Sequence, residues 1–230
     1  MNRIALALAL AALAGCATAH RGGSTVDGAA VSEADLGRLS PEQMAPVNQA
    51  RQQVMAARDE LSRATLRQQQ VANEQGQARA DRTAADADQQ RAEAEQKAAN
   101  EGREPAALQR AQQLQQQASL RRQAADARLD WANKFNAARA AQLVAAQRNV
   151  QVAEAQLEMA KLQALHGANI PAAAKYDAGK FQQRMNEAQQ AYQQSFAKAR
   201  QAETDALTAQ QRWNGLNQQL QAYLGGRQAG

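Results

Sequence analysis

Few residues in this chain could carry chemistry. One cysteine and two histidines stand among 22 acids and 27 bases in 230 residues. Cys16 is the sole thiol, so a disulfide within one molecule is excluded. It follows Leu13, Ala14 and Gly15 at the end of an apolar run from Ile4, which is itself preceded by Arg3. A basic start, a short apolar stretch and small residues before a break are the parts of a secretory signal. At about 1.5 Å per residue, the eleven residues 4–14 reach about 16 Å, half of a bilayer core of about 30 Å. They are too short to span a membrane. His20 lies in a polar stretch and His166 beside Gly167, with no second ligand at zinc spacing for either. The pairs Asp86/Asp88 and Glu93/Glu95 alternate with arginine and glutamine and read as solvated helix surface. No glycine-rich phosphate loop follows a strand pattern. These residues predict neither catalysis, nor a metal site, nor a cofactor.

The tetrad Leu13-Ala14-Gly15-Cys16 resembles the lipobox of bacterial lipoproteins, which carry a type II signal peptide. The resemblance implies that residues 1–15 are a cleaved signal peptide, recognised by the signal peptidase through Leu13, Ala14 and Gly15. It implies that Cys16 is S-diacylglycerylated and then N-acylated, with fatty chains such as palmitate. Several chains on one residue hold a protein stably on a membrane, where a single chain does so only marginally. Residue 17 is Ala and not Asp, which in that family points to the outer membrane, facing the periplasm.

Behind Cys16 the residues to Leu39 are rich in Gly, Ser and isolated charges and show no apolar period. Residues 16–39 therefore read as the lipidated cysteine and a flexible tether of about 25 Å root-mean-square span, in which the one local structure allowed is a short helical turn around Ser32–Leu36. Aromatics are only 3% of the chain and mean hydropathy is -0.66, while Ala makes up about a quarter. That composition predicts an all-α chain of long helices and not a conventional globular core. Ser40-Pro41-Glu42-Gln43 is a capping box with Pro at the first helical position. Stop-and-restart signals follow at Gly102 to Pro105 and at Gly167 to Pro171. The expected helices are 41–100, 105–166 and 172–224, forming one domain over 40–224, with a disordered end at 225–230.

Heptads run through all three. In the first, Ala50, Ala57, Ala64, Val71, Ala78, Ala85, Ala92 and Ala99 fall seven apart. In the second, Ala111, Ala118, Ala125, Ala132, Arg139, Ala146, Ala153 and Ala160 do the same, beside Leu129, Leu143, Val150 and Leu157. In the third, Phe181, Tyr192, Trp213 and Tyr223 occupy repeat positions. A sustained seven-residue repeat predicts a left-handed coiled coil, and short turns make consecutive helices antiparallel. The expected architecture is a three-helix antiparallel bundle, with a two-helix needle or a homo-oligomer as variants. Folding the first hairpin about Gly102 sets Val71 opposite Phe135 and Leu61 opposite Val144, and leaves an Ala-rich tip as its weakest part. Trp131 and Phe135 share one helix face. The aromatics are expected in the core, the alternative being a groove that accepts a partner helix.

The net charge of +5 is modest, and apart from Arg121, Arg122 and the run from Arg103 to Arg128 the bases alternate with acids. A nucleic-acid partner needs a clustered basic face, so none is expected. The body is loosely similar to other Ala/Gln-rich helical envelope lipoproteins, including Lys175-Tyr176-Asp177. In layout it also looks like murein lipoprotein, but that family ends in the lysine joined to peptidoglycan and this chain ends Arg227-Gln228-Ala229-Gly230. Covalent wall linkage is therefore not expected. The sequence thus points to a non-enzymatic, membrane-anchored structural or adaptor lipoprotein of the cell envelope. Its partners would be the membrane through the lipid, and envelope proteins or peptidoglycan by contact, a wall synthase among them. The alternative is a helical-hairpin accessory component of a transport, efflux or secretion assembly.

Overall fold

The computed structural model describes residues 30–226. The chain runs through α1 (Glu33–Leu36), α2 (Pro41–Gly102), α3 (Pro105–Gly167), a 3-10 turn (Pro171–Lys175) and α4 (Ala178–Gly226). Among the described residues there is no strand. At about 1.5 Å per residue, α2 and α3 are each roughly 95 Å long and α4 roughly 74 Å.

The ends are set by local chemistry. The Ser40 hydroxyl accepts from the Gln43 N–H at 3.3 Å, and the Gln43 side chain accepts from the Ser40 N–H at 2.9 Å, the expected capping box. Pro46 lies inside α2, and the helix runs on through it. At the first turn the left-handed residue is Arg103, with φ 55°, and Gly102 remains helical. After α3 it is Asn169, also at φ 55°, a residue that tolerates this region better than most. There the N–H groups of Asn169 and Ile170 donate to the carbonyls of His166 and Leu165, both at 3.0 Å, closing a Schellman turn. The third long helix starts six residues later than the expected 172. Residues 171–175 wind as 3-10 turn, Tyr176 is extended, and the Asp177 carboxylate caps α4 by accepting from Gly179 N–H at 2.9 Å.

Two expected boundaries move. The tether assigned to residues 16–39 ends no later than residue 30, because Val31 and Leu36 are both buried, at 3% exposure, against the bundle. Their five-residue spacing matches no repeat, so nothing in the pattern marked them as anchors. At the other end, Gly225 and Gly226 belong to the last turn of α4. The signal peptide, Cys16, the tether to residue 29 and the last four residues lie outside the described residues.

The three long helices are antiparallel, and α3 lies between the other two. Residue pairs such as Arg58–Glu154 and Arg121–Asp88 fix the reversed direction of α2 and α3, and Trp131 stacked on Trp213 does so for α3 and α4, together with the bond from Tyr223 to Gln113. α3 packs along both neighbours, whereas α2 and α4 do not pack along each other. The reason is a second stripe on α3. Ala111, Ala118, Ala125, Ala132, Ala146 and Ala153 are buried on the side of α2. Ala124, Ala127, Ala138, Ala145, Val152, Ala155, Met159 and Leu162 are buried on the side of α4. At 3.5 residues per turn the midpoints of these stripes stand about 150° apart round the axis. A closed triangle would draw both neighbours to one side of α3; nearly opposite stripes give an open, flat layer. On α2 one stripe suffices, and all eight positions from Ala50 to Ala99 are buried.

Bulk is concentrated at one end. Val31, Leu36, Val47, Met159, Leu162, Leu165, Ala173 and Phe181 form a conventional apolar cluster where α2 begins, α3 ends and α4 begins. Toward the α2–α3 turn alanine and polar pairs replace it. Gln68 donates to Asn136 at 2.8 Å and Gln75 to Asn133 at 2.7 Å, and Arg121 meets Asp88 at 2.5 Å. Ala78, fully buried between two backbones, leaves no room for a larger side chain. Ala78→Leu should cost about 1–3 kcal/mol in urea unfolding, while Ala80→Leu on the exposed face should stay within about 0.5 kcal/mol. Equal effects would contradict the close approach of α2 and α3.

Candidate functional site

Leu13, Ala14, Gly15, Cys16 and His20 fall outside the described residues. What the structure does place is the segment that leads away from them. Residues 30–36 are strapped across the base of the layer by a polar network. The Val31 N–H donates to Glu158 Oε2 at 2.7 Å. Lys161 is the only buried charged side chain among the described residues, and its ammonium lies 2.8 Å from Glu33 and 2.9 Å from Glu158. Arg51 adds a second cation at 2.6 Å from Glu33. The Tyr176 hydroxyl accepts from the Ser32 N–H at 3.0 Å and donates to Asp35 at 2.7 Å.

The electrostatics follow. The hydrogen bond from Lys161, reinforced by the charges of Lys161 and Arg51, outweighs partial burial and holds the Glu33 carboxyl below its ordinary 4.5. Burial alone would pull the Lys161 ammonium down, but its bonds to Glu33 and Glu158 raise it above its ordinary 10.5. Glu33, depressed, contributes stability above the carboxylate range and loses it as pH falls through its folded value. Lys161, raised, contributes below the lysine range and loses it as pH rises through its folded value.

The second candidate surface is one face of the layer. On it Trp131 stacks on Trp213 at 5.0 Å between ring centroids and on Phe135 at 5.6 Å. Tyr192 and Phe196 sit 5.8 Å apart further down α4. Arginines lie over three of these rings: Arg128 over Trp213 at 5.6 Å, Arg139 over Phe135 at 4.7 Å and Arg200 over Phe196 at 5.9 Å. The core assignment holds for Phe181, which is 2% exposed and meets Tyr176 edge-on. Tyr192, Trp213 and Tyr223 do occupy the heptad positions facing α3, yet they are only half-buried, as are Trp131 and Phe135. In an open layer no third helix covers the rim of that seam. The Tyr223 hydroxyl donates to the Gln113 carbonyl at 3.1 Å, which places the end of α4 just short of the α2–α3 turn.

The opposite face carries a groove of about 1050 Å³ over Val54 and Leu157. Its rim bears Arg51, Arg58, Glu154 and Glu158, already engaged with one another or with the strap, and Ala30 at its edge. The other residues singled out from sequence do not converge. Asp86 is held by Arg82 and Arg122, and Asp88 by Arg121, so Arg121 and Arg122 are paired with acids across the hairpin. Those contacts raise Arg82 and lower Asp86, each chiefly through the hydrogen bond they share. Glu93 accepts from Gln89 at 2.9 Å. His166 is exposed in the last turn of α3, where its carbonyl helps to close the helix. Among the described residues no group of three or more metal-ligating side chains occurs, and no helix is long and apolar enough to cross a membrane.

No family model, no curated protein and no solved structure matches the chain.

The short helical turn expected around Ser32–Leu36 is present as α1, but its role as a strap is what sequence reasoning missed. Its signals were present but brief: Ser32 accepting from Ala34 N–H, acids at Glu33 and Asp35, and a lone lysine, Lys161, on a buried stripe. Lys161→Met removes the cation between Glu33 and Glu158 and should destabilise the strap by about 1–3 kcal/mol. Hydrogen exchange at residues 31–36 should accelerate in that variant while exchange across 120–150 stays unchanged. In the unsubstituted chain the same amides should stay protected from the ordinary carboxylate value of 4.5 up to the ordinary lysine value of 10.5, and lose protection as pH falls through the lowered value of Glu33 or rises through the raised value of Lys161. Equal protection of these amides in Glu33→Gln at neutral pH would remove the carboxylate of Glu33 from the account.

Proposed function

We propose that this chain is a lipid-anchored structural or adaptor protein of the bacterial cell envelope, acting by contact and not by catalysis. The lipobox-like Leu13-Ala14-Gly15-Cys16 is the feature that carries the reading. In it, Cys16 holds the lipid and the residues to 29 form the tether to the membrane, which in this reading is the outer membrane on its periplasmic side. The described part supports a contact role in two ways. It is an extended helical layer of roughly 95 Å that offers long faces for contact. Its strap also ties the chain beyond residue 30 to the best-packed end of that layer, so that a lipid on Cys16 would hold a rigid body and not a loose coil. Envelope proteins, a wall synthase or peptidoglycan are the contact partners of this reading.

A second reading is a helical-hairpin accessory component of a transport, efflux or secretion assembly. One observation favours it: α2 and α3 extend past the end of α4 as a bare two-helix tip with mixed charge.

Two measurements test the proposal. Cys16→Ala should abolish incorporation of labelled fatty acid and release the chain from the membrane fraction. Retention with normal processing would sink the anchor. Mild crosslinking in intact envelopes should capture wall material or envelope proteins. Capture of an export channel instead would replace the first reading with the second.

A further inference from the structure

A single layer of helices is an unfinished architecture, because stable domains pack at least two layers round a core. The layer formed by α2, α3 and α4 has a partner for neither face, and the two faces differ. On the aromatic face a row of α3 residues seven apart points outward: Leu114, Arg121, Arg128, Phe135, Gln142 and Asn149. Phe135 stands midway between Arg121 and Asn149. Beside it are the stacked Trp131 and Trp213, and on α4 at about the same level Leu207, which is 55% exposed. Phe196, 46% exposed, and Leu114, 38% exposed, lie further out on the same face. The centre of the face is thus apolar and aromatic, the composition of an interface core.

The charges flank that centre evenly. Glu60, Arg67, Arg200 and Glu203 lie on one side, and Asp81, Asp88, Arg121 and Arg128 on the other. Each group holds two acids and two bases. With Glu74 beside Arg128 and Arg139 over Phe135 adding one acid and one base between the groups, such a face repels no copy of itself, and both groups can exchange partners across a two-fold axis. It is poorly suited to an anionic polymer or a charged lipid surface. From Arg121 to Asn149 the row covers about 42 Å, and α3 with α4 is about 20 Å wide, roughly 840 Å² a side. A stable interface needs roughly 800 Å² a side.

We infer that the occupant of this face is a second copy of the chain, stacked antiparallel about a two-fold axis at Phe135. In that arrangement α4 lies over α4 and aromatic rim meets aromatic rim. The parallel alternative lays Phe196 and Leu207 over the acids Glu60, Glu74 and Asp81 of α2, desolvating carboxylates against carbon. The antiparallel pair has six helices in two layers, with the two strapped bases at opposite ends. Two copies anchored in one membrane would therefore pair lying along it.

Single cysteines in the full chain, oxidised mildly in cells and in extracts, test this, with the parent chain carrying Cys16 alone as control. Phe135→Cys sits on the axis and should shift the chain to a band of twice its own mass on a non-reducing gel. Gln142→Cys, seven residues off the axis, and Val144→Cys, exposed on the opposite face, should stay monomeric. Chains with Gln142→Cys mixed with chains carrying Arg128→Cys should crosslink, since these positions face each other across the axis. A monomeric Phe135→Cys chain overturns the proposal, as does its crosslinking to a protein of another mass. Self-crosslinking of Gln142→Cys as strong as that of Phe135→Cys overturns the antiparallel arrangement. The fate of the lipid on Cys16 is read separately, by fatty-acid labelling, so a failure of the anchor and a failure of the pair remain distinguishable.

Discussion

Everything in this molecule hangs on α3 burying two sides of itself at once. A helix placed between two others must be apolar on both flanks, and its flanks must be thin enough for backbones to close on them. Alanine meets both needs: it has the highest helix propensity and adds only a methyl group to the contact. Its two stripes, from Ala111 to Ala153 and from Ala124 to Leu162, are displaced by about 150°, so the neighbours are driven apart and not together. The furrowed faces, the half-buried rings on their rims and the bare tip follow from that displacement. A closed bundle with the same heptads on α2 and α4 would have hidden Tyr192 and Trp213.

The price of so thin a seam is the small apolar area it buries. Val47, Leu162, Leu165 and Phe181 are the largest fully buried side chains, and all four belong to the base cluster. Each contributes about 1.5–3 kcal/mol when fully buried, against roughly 0–1 kcal/mol for an exposed ion pair. The ladder of Arg121–Asp88, Arg122–Asp86 and Arg58–Glu154 therefore adds little to stability. Its value lies in register: alanines seven apart look alike at every step, and complementary charges and the Gln68–Asn136 pair distinguish one alignment from the next.

Much of this was legible in the residues. The stripe of α2 could be read position by position, because its neighbours are polar and a single period stands clear. The capping box at Ser40 and the reversal of the chain between Gly102 and Pro105 were equally plain. The second stripe of α3 was not, because two seven-residue patterns two positions out of phase overlay each other and leave alanine nearly all round the helix. The strap was hidden for a different reason. Val31 and Leu36 are two anchors without a repeat, and their partners, Glu158, Lys161 and Tyr176, lie more than 120 residues away. Of the aromatics, position could be inferred but not cover. A heptad assigns Trp213 to a seam without saying whether a third helix closes over it.

The strap also decides how the molecule bears force. The chain ahead of Val31 joins the body where α2 starts, α3 ends and α4 starts, so a pull from that side is shared among three helices through a dense apolar cluster and several ionic bonds. The alanine-packed end, some 95 Å away, lies off the load path altogether. The body can therefore work as a lever whose pivot is its firmest part, while its compliant far end is free to yield to whatever surface it meets without loosening the grip at the other.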